Sequence, residues 1–375
     1  MSPNQKTLLP CRPVSVVIEE IYEELSLSKN KITRFGLLNG YLGLSVFYYL
    51  YGMHTGNKSC IKESAILFDQ AMETINMHPI NYALDFTDLG VVSQYLIKYG
   101  VLEYEPNHFL EEVDHFLLLR LRQGIKHVDF GGFSNGIIGH GLYFLERARF
   151  APERFAPVVT ELVQGLMGCC VTTQKAAHWY PDQPFRMALW NGQAAIILFL
   201  TVAAERKLIE KQVIYALVGK AIDFLFGQFK MQPQSGNLLS FQMGDLGIGY
   251  AMLRAGQVFE NSVWCESGLD LLGRRAGFCL ANEAAMKCCS ILTGAAGAAM
   301  AFEKIYQLTG TALFGAAAEL CFARLVPLYE KGRANILVDR DSTLCFGTGI
   351  AGVGTALIKS LHRNDRDYAH LLWMI

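Results

Sequence analysis

No charge of either sign dominates this sequence. Its 33 lysines and arginines stand against 34 aspartates and glutamates, so it has neither the basic field that draws a polyanion nor an acidic tail, and nucleic acid is excluded as an expected partner. Charge is scarce altogether, at 18% of residues against 51% apolar, which calls for a large interior and for helices apolar on more than one face. Yet the most apolar run, Ala194 to Ala204, has only 11 residues, well short of the roughly 20 that span a bilayer, and no membrane insertion is expected. Met1 to Pro13 carries Lys6 and Arg12 with no apolar stretch behind them, so no secretory signal is read and a cytoplasmic location is expected. The ten cysteines form no Cys-x-x-Cys spacing, and the neighbours Cys169-Cys170 and Cys288-Cys289 predict reduced, buried thiols rather than disulfides. Period-two alternation is nearly missing too. β-Branched clusters such as Val158-Val159 are short and isolated, which excludes a sheet protein.

What the sequence does have is a repeat. Gly-x-x-Gly recurs as Gly40 to Gly43, Gly136 to Gly139, Gly244 to Gly247, Gly294 to Gly297 and Gly349 to Gly352, with degenerate copies at Thr87 to Gly90 and Gly192 to Ala195. The steps between first positions are 47, 49, 56, 52, 50 and 55 residues, one supersecondary unit each. Each unit opens an apolar segment, and amphipathic segments fill the gaps at Val14 to Leu25, Asn57 to Ile75, Pro106 to Arg122, Glu153 to Thr173, Glu210 to Lys230, Glu260 to Leu280 and Thr311 to Lys331. The pattern predicts an all-α protein, a single domain over residues 1–375. Its expected architecture is an α/α toroid, a double ring of seven helical hairpins with seven inner and seven outer helices. A glycine pair at i and i+3 bares one helical face, so backbones can approach closely where the inner helices converge, with N–H groups open to the central space; plain close packing is the alternative.

These units resemble the lanthionine synthetase C-like family, zinc-dependent cyclases that add a cysteine thiol to a dehydroalanine or dehydrobutyrine of a peptide. Met243 to Gln257 resembles the family's Trp-Cys-Tyr-Gly-Asp-x-Gly unit and the helix after it. Gly294 to Gly297 with Phe302 to Tyr306 is similar to the segment after the family's Cys-His-Gly, and Gly349 to Gly354 to its last unit. The resemblance implies the seven-hairpin toroid and a precursor peptide as partner, together with a lanthipeptide dehydratase or another pathway enzyme. It also implies a zinc ion that turns the thiol into thiolate, held by three protein ligands with one open position. Aligned on the glycines, those ligand positions are Gln242, Leu292 and Thr293, none a thiolate or imidazole, so zinc is expected to be absent. The family's His-Gly in the fourth unit reads Asn191-Gly192 here, and an arginine of the family falls on Leu238.

Other side chains could carry function. A displaced metal set can be written from Cys265, Cys288 and Cys289, although the period puts Cys265 on an outer helix. Asp129, His127, His140, His178 and Asp182 surround the third and fourth units, where a His/Asp pair could move a proton; Cys345, four residues before Gly349, is the cysteine placed to face the centre. Of these, Asp129, His140 and Cys345 are the catalytic candidates, against capping and core roles. Trp179, Tyr180, Arg186, Trp190 and Asn191, with Phe185, offer stacking and polar groups for an extended peptide, or simply core packing. Only Asp88 and Asp245 fall inside the glycine units, which speaks against the paired carboxylates of a glycosidase or the Asp-rich diphosphate motif of a terpene cyclase. Two readings follow: a zinc-free peptide-binding or scaffolding protein, a degenerate cyclase, and an enzyme of the same fold that adds thiols or modifies a peptide without the usual zinc site.

Overall fold

The computed structural model describes residues 12–75, 82–127, 136–180, 186–231, 239–282, 285–333 and 344–363. Among these residues one class of helix buries most of its described positions: α2 (Tyr41–Thr55), α4 (Tyr82–Lys98), α7 (Ile137–Phe150), α9 (Gln193–Glu205), α11 (Asp245–Val258), α13 (Ala295–Thr309) and α16 (Ile350–Leu361). In α9 every residue from Gln193 to Ala204 is buried. The second class buries one stripe: α1 (Val14–Ser28), α3 (Lys58–Ile75), α6 (Glu111–His127), α8 (Pro152–Cys169), α10 (Lys211–Met231), α12 (Ser262–Ala281) and the pair α14 (Ala312–Ala323) and α15 (Leu325–Arg333). A four-residue turn, α5 (Pro106–Phe109), precedes α6.

The buried helices touch in the order α2, α4, α7, α9, α11, α13, α16 and back to α2, a closed inner ring. Each also packs on a striped helix, α16 on α1, so the first outer helix completes the last hairpin. The double ring read from the period is therefore the architecture of the described residues. Its one hairpin of strands, β1 (Val171–Thr172) and β2 (Ala177–His178), is antiparallel and two residues deep.

The glycines admit close backbone packing, and their nearest partner is their own lead-in loop. The inner helices other than α4 start on an extended or, at Gly136, positive-φ glycine N-cap. In the first, fourth and sixth units the chain that leads into the helix folds back over its first turn. Tyr41 N–H donates to Arg34 O at 3.0 Å, Leu42 to Phe35 at 3.0 Å, Gln193 to Arg186 at 2.9 Å, Ala194 to Met187 at 3.0 Å and Ala295 to Cys288 at 3.0 Å, each bond reaching seven residues back. The N–H groups that a helix start leaves unbonded are thus taken by the chain's own lead-in loop rather than left open to the centre. At the second glycine of a unit, a methyl on Gly43, Gly247, Gly297 or Gly352 would overlap the carbonyl oxygen six residues earlier. Backbone on backbone, such a clash has nothing flexible to yield.

The second unit departs from the rule. Helix α4 begins at Tyr82, so Thr87 to Gly90 lies within the helix, and Gly90 instead makes room for the ring of Tyr143 on α7. With a threonine in place of the extended first glycine, the helix runs through the unit. The seventh outer helix also differs from expectation, being interrupted at Arg324. Ala312–Gly332 has the length and composition to cross a membrane, alone among the described residues, but half of the segment is buried inside the double ring, where α14 packs against α12, α13 and α16.

Between the first and last repeats the ring is fastened by a pair of imidazoles, His54 Nδ1 lying 2.6 Å from His362 Nε2. Burial and the neighbouring His362 lower the His54 pKa, against a weaker pull upward from Glu19. A lowered folded value means that the unfolded chain takes up the proton first, so the contribution of His54 is complete above about pH 6.5 and is lost as pH falls.

Two outcomes follow for this frame. Gly297→Ala is expected to cost about 3 kcal/mol of stability by overpacking, whereas Gly277→Ala, in open space on α12, should gain about 0.5–1 kcal/mol; thermal melts of the two variants check this. On acidification from about pH 7.5 to about pH 5.5, across the ordinary imidazole range, the wild-type Tm should fall further than that of His54→Gln.

Candidate functional site

The described lead-in loops, those of α2, α9, α11, α13 and α16, meet at one end of the ring, the hub. They are tied to one another through the residue two places before each unit's first glycine. Trp190 N–H donates to Gln242 O at 2.8 Å, Leu292 N–H to Gly347 O at 3.1 Å, and Gly347 N–H to Leu38 O at 2.8 Å. Ser240 closes the remaining step through its side chain, Oγ donating to Leu292 O at 2.7 Å. Leu37 N–H then reaches Asp88 Oδ2 at 3.1 Å and links the first unit to the second. The fourth, fifth, sixth, seventh, first and second units are thereby joined in series.

Position in the unit sorts the side chains. Two places before the glycine, Gln242 is 2% exposed and Leu292, Leu38 and Trp190 are half-buried. One place before it, Asn39, Asn191, Met243 and Thr348 are exposed and Thr293 is half-buried. Four places before it, Ser240, Ser290 and Cys345 are buried and close the loop: Ser240 Oγ accepts from Met243 N–H at 3.0 Å, Ser290 Oγ accepts from Thr293 N–H at 3.3 Å, and Cys345 Sγ lies 3.2 Å from Thr348 Oγ1. Cys345 is therefore the equivalent of a turn-closing serine. Ser240 was missed as a hub residue by the sequence reading, although its fixed offset from Gly244 could have found it, while Met243, at the tyrosine of the family's Trp-Cys-Tyr-Gly unit, faces outward.

The positions that the family resemblance assigns to a metal can be tested on this geometry. Gln242 offers one amide oxygen, Oε1, which is buried without a hydrogen-bond partner. Thr293 offers a hydroxyl already shared with Ser290 Oγ at 3.1 Å and Cys288 Sγ at 3.8 Å. Leu292 offers nothing. A zinc ion held by thiolates and imidazoles does not fit this donor set. Nor do three His, Cys, Asp or Glu side chains converge on one point elsewhere among the described residues. The displaced set is not assembled: Cys265 sits on α12 against Gly256, its Sγ 3.9 Å from Leu253 O, about 17 Å along α11 from the hub at 1.5 Å per residue. Burial pushes the Cys289 thiol up to about 11, and all nine described cysteines are free.

The acid–base candidates are scattered. Asp129 and Asp182 lie outside the described residues. His140 is buried in the first turn of α7, His127 is exposed at the end of α6, and His178 stacks on Phe224 with ring centroids 4.7 Å apart. Asp245 forms an inner-to-outer tie, pairing with Arg275 of α12 at 2.5 Å; burial raises its pKa, and Arg275 works against that. Of the peptide-binding candidates, Trp179 is 1% exposed with its indole N–H on Leu166 O at 2.7 Å, a core residue with no face to offer. Tyr180 and Arg186 come together, the guanidinium 5.5 Å from the ring centroid, and Trp190 and Asn191 stand at the hub; Phe185 is outside the described residues. The hub thus presents uncharged amides, hydroxyls, a thioether and an indole, a surface that can hydrogen-bond and pack on a neutral chain but holds no base among the residues named.

No protein-family model matches the sequence, and neither does any curated protein. Among solved structures, one described as "Nisin cyclase" superposes over 96% of this chain and 97% of its own, with a TM-score of 0.68 at 14% identity. That likeness is one of shape: the chain has the helical toroid of nisin cyclase.

Proposed function

We propose that this protein is a zinc-free lanthionine synthetase C-like toroid that binds a precursor peptide, as a scaffolding partner in the biosynthesis of a ribosomally made modified peptide of the lanthipeptide type. The observation that carries the reading is the hub itself. Backbone bonds between lead-in loops hold it in shape, while the side chains at the ligand positions are an amide, a leucine and a hydroxyl. The toroid of nisin cyclase supports a peptide as the occupant. The exposed ring of Asn39, Asn191, Met243 and Thr348, next to Trp190 and the Tyr180–Arg186 pair, supports recognition of an extended chain through amide hydrogen bonds, stacking and apolar contact. A dehydratase or another enzyme of the same pathway would take the peptide onward. Such a role suits a protein kept with the machinery in the cytoplasm.

Purified protein should contain less than stoichiometric zinc by elemental analysis, bind a dehydrated Ser/Thr/Cys-rich peptide by fluorescence anisotropy, and form no thioether ring in it. Trp190→Ala keeps the main-chain N–H that the hub uses and should weaken peptide binding roughly ten-fold, as removal of an aromatic anchor does. Stoichiometric zinc or ring formation would instead make the protein an active cyclase, and no peptide binding at all would remove the scaffold reading.

A further inference from the structure

Away from the hub, the outer helices α12 and α14 lie side by side and meet through small residues. Gly273 of α12 lies under Leu313 of α14, its open side 3.9 Å from Leu313 Cδ2. Two turns further along this contact each helix presents a thiol to the other. Cys279 Sγ and Cys321 Sγ are 3.5 Å apart, and both residues are fully buried. No step of peptide binding at the hub uses either of them.

From this juxtaposition we infer that Cys279 and Cys321 are an oxidisable dithiol, a modification site at which hydrogen peroxide installs a reversible disulfide staple between the outer helices of the sixth and seventh repeats. A disulfide has S–S near 2.05 Å, so each sulfur needs to move by roughly 0.7 Å, within reach of side-chain torsion without displacing either helix. Either sulfur can donate the shared hydrogen bond, and Cys279 lies two residues from the end of α12, between the exposed Phe278 and Leu280. Cys279 is accordingly the attacking thiolate. Its sulfur takes one oxygen of the peroxide and expels hydroxide, giving a sulfenic acid. The sulfur of Cys321 then attacks that sulfenic sulfur, the S–O bond breaks, and the Cys321 proton leaves with the oxygen as water. Two electrons and two protons leave the thiols, and one peroxide becomes two waters. The staple closes a loop across a separation of 42 residues and so removes freedom from the unfolded chain. Cys279 stands just before Ala281, the end of α12, after which the chain enters the hub loop that carries Leu292 and Thr293. The staple thus fixes the helix that delivers that loop. This inference is independent of the proposed function.

The full-length protein should be treated with hydrogen peroxide, its free thiols alkylated, and the digest mapped without reduction. The expected result is a linked peptide pair containing Cys279 and Cys321 as the main intramolecular disulfide. It should come with a Tm above that of the untreated protein, and dithiothreitol should reverse both. Cys321→Ser, nearly the same size, should fold, abolish the link and trap Cys279 as a sulfenic acid that a dimedone probe labels. Recovery of Cys279 and Cys321 as alkylated thiols under conditions that oxidise the exposed Cys288, or a Tm that falls on oxidation, would overturn the inference.

Discussion

The structure depends on a carbonyl laid against a glycine. In the first and sixth units the lead-in loop returns over the first turn of its inner helix, its backbone oxygens taking the helix's free N–H groups and packing where a methyl would otherwise stand; the fourth unit shows the bonds, and the fifth and seventh show the carbonyl against glycine. Satisfying those donors matters because a buried, unbonded N–H costs as much as a lost hydrogen bond. With these loops pinned to their own helices, the residues two places before the glycine come into line and can bond from unit to unit. Ring closure is thus built from the main chain outward. Burial of the inner helices follows from that closure.

A hub held by backbone leaves its side chains free to vary. Gln242 and Leu292 contribute their main-chain groups to the ring, and those groups would be supplied equally by a metal-binding cysteine or by an alanine. This explains how a toroid can keep its shape without the side chains that a zinc ion would need. The charges nearby are engaged in tying layers together, Asp245 to Arg275 and Asp88 to the first loop. In the third unit, Arg147, fully buried on α7, is held bidentately by Asp114 of α6 with both bonds at 2.9 Å. Breaking one member of such a buried pair costs far more than the pair contributes, so these carboxylates are committed to architecture.

Much of the frame was legible in the sequence because period and polarity are both written in side chains. The glycine units marked the starts of the inner helices, and the charged stripes marked Lys58–Ile75 or Lys211–Met231 as outer ones. What the glycines pack against was not legible, since their partner is the carbonyl of any residue six places earlier. The same limit hid the ties across large separations, Asp245 with Arg275 and Cys279 with Cys321. Trp179 and Trp190 looked alike as aromatics of one loop region; only the fold puts the first under Leu166 and the second at the hub. Cys345 is buried, as its core reading expected, and its kinship with Ser240 and Ser290 shows only when the loops are superposed. At the positions that the family resemblance assigns to a metal, the reading rested on residue identity alone, and the geometry adds that the main-chain groups there hold the hub together.

Amide hydrogen exchange at the hub tests this account most directly. If main-chain bonding alone holds the ring, the amides of Trp190, Leu292, Gly347, Gln193 and Ala295 will exchange as slowly as those in the middle of α9 and α11, and a strong chelator will leave their rates unchanged. Fast exchange at these amides, or protection that collapses when metal is stripped, would contradict it.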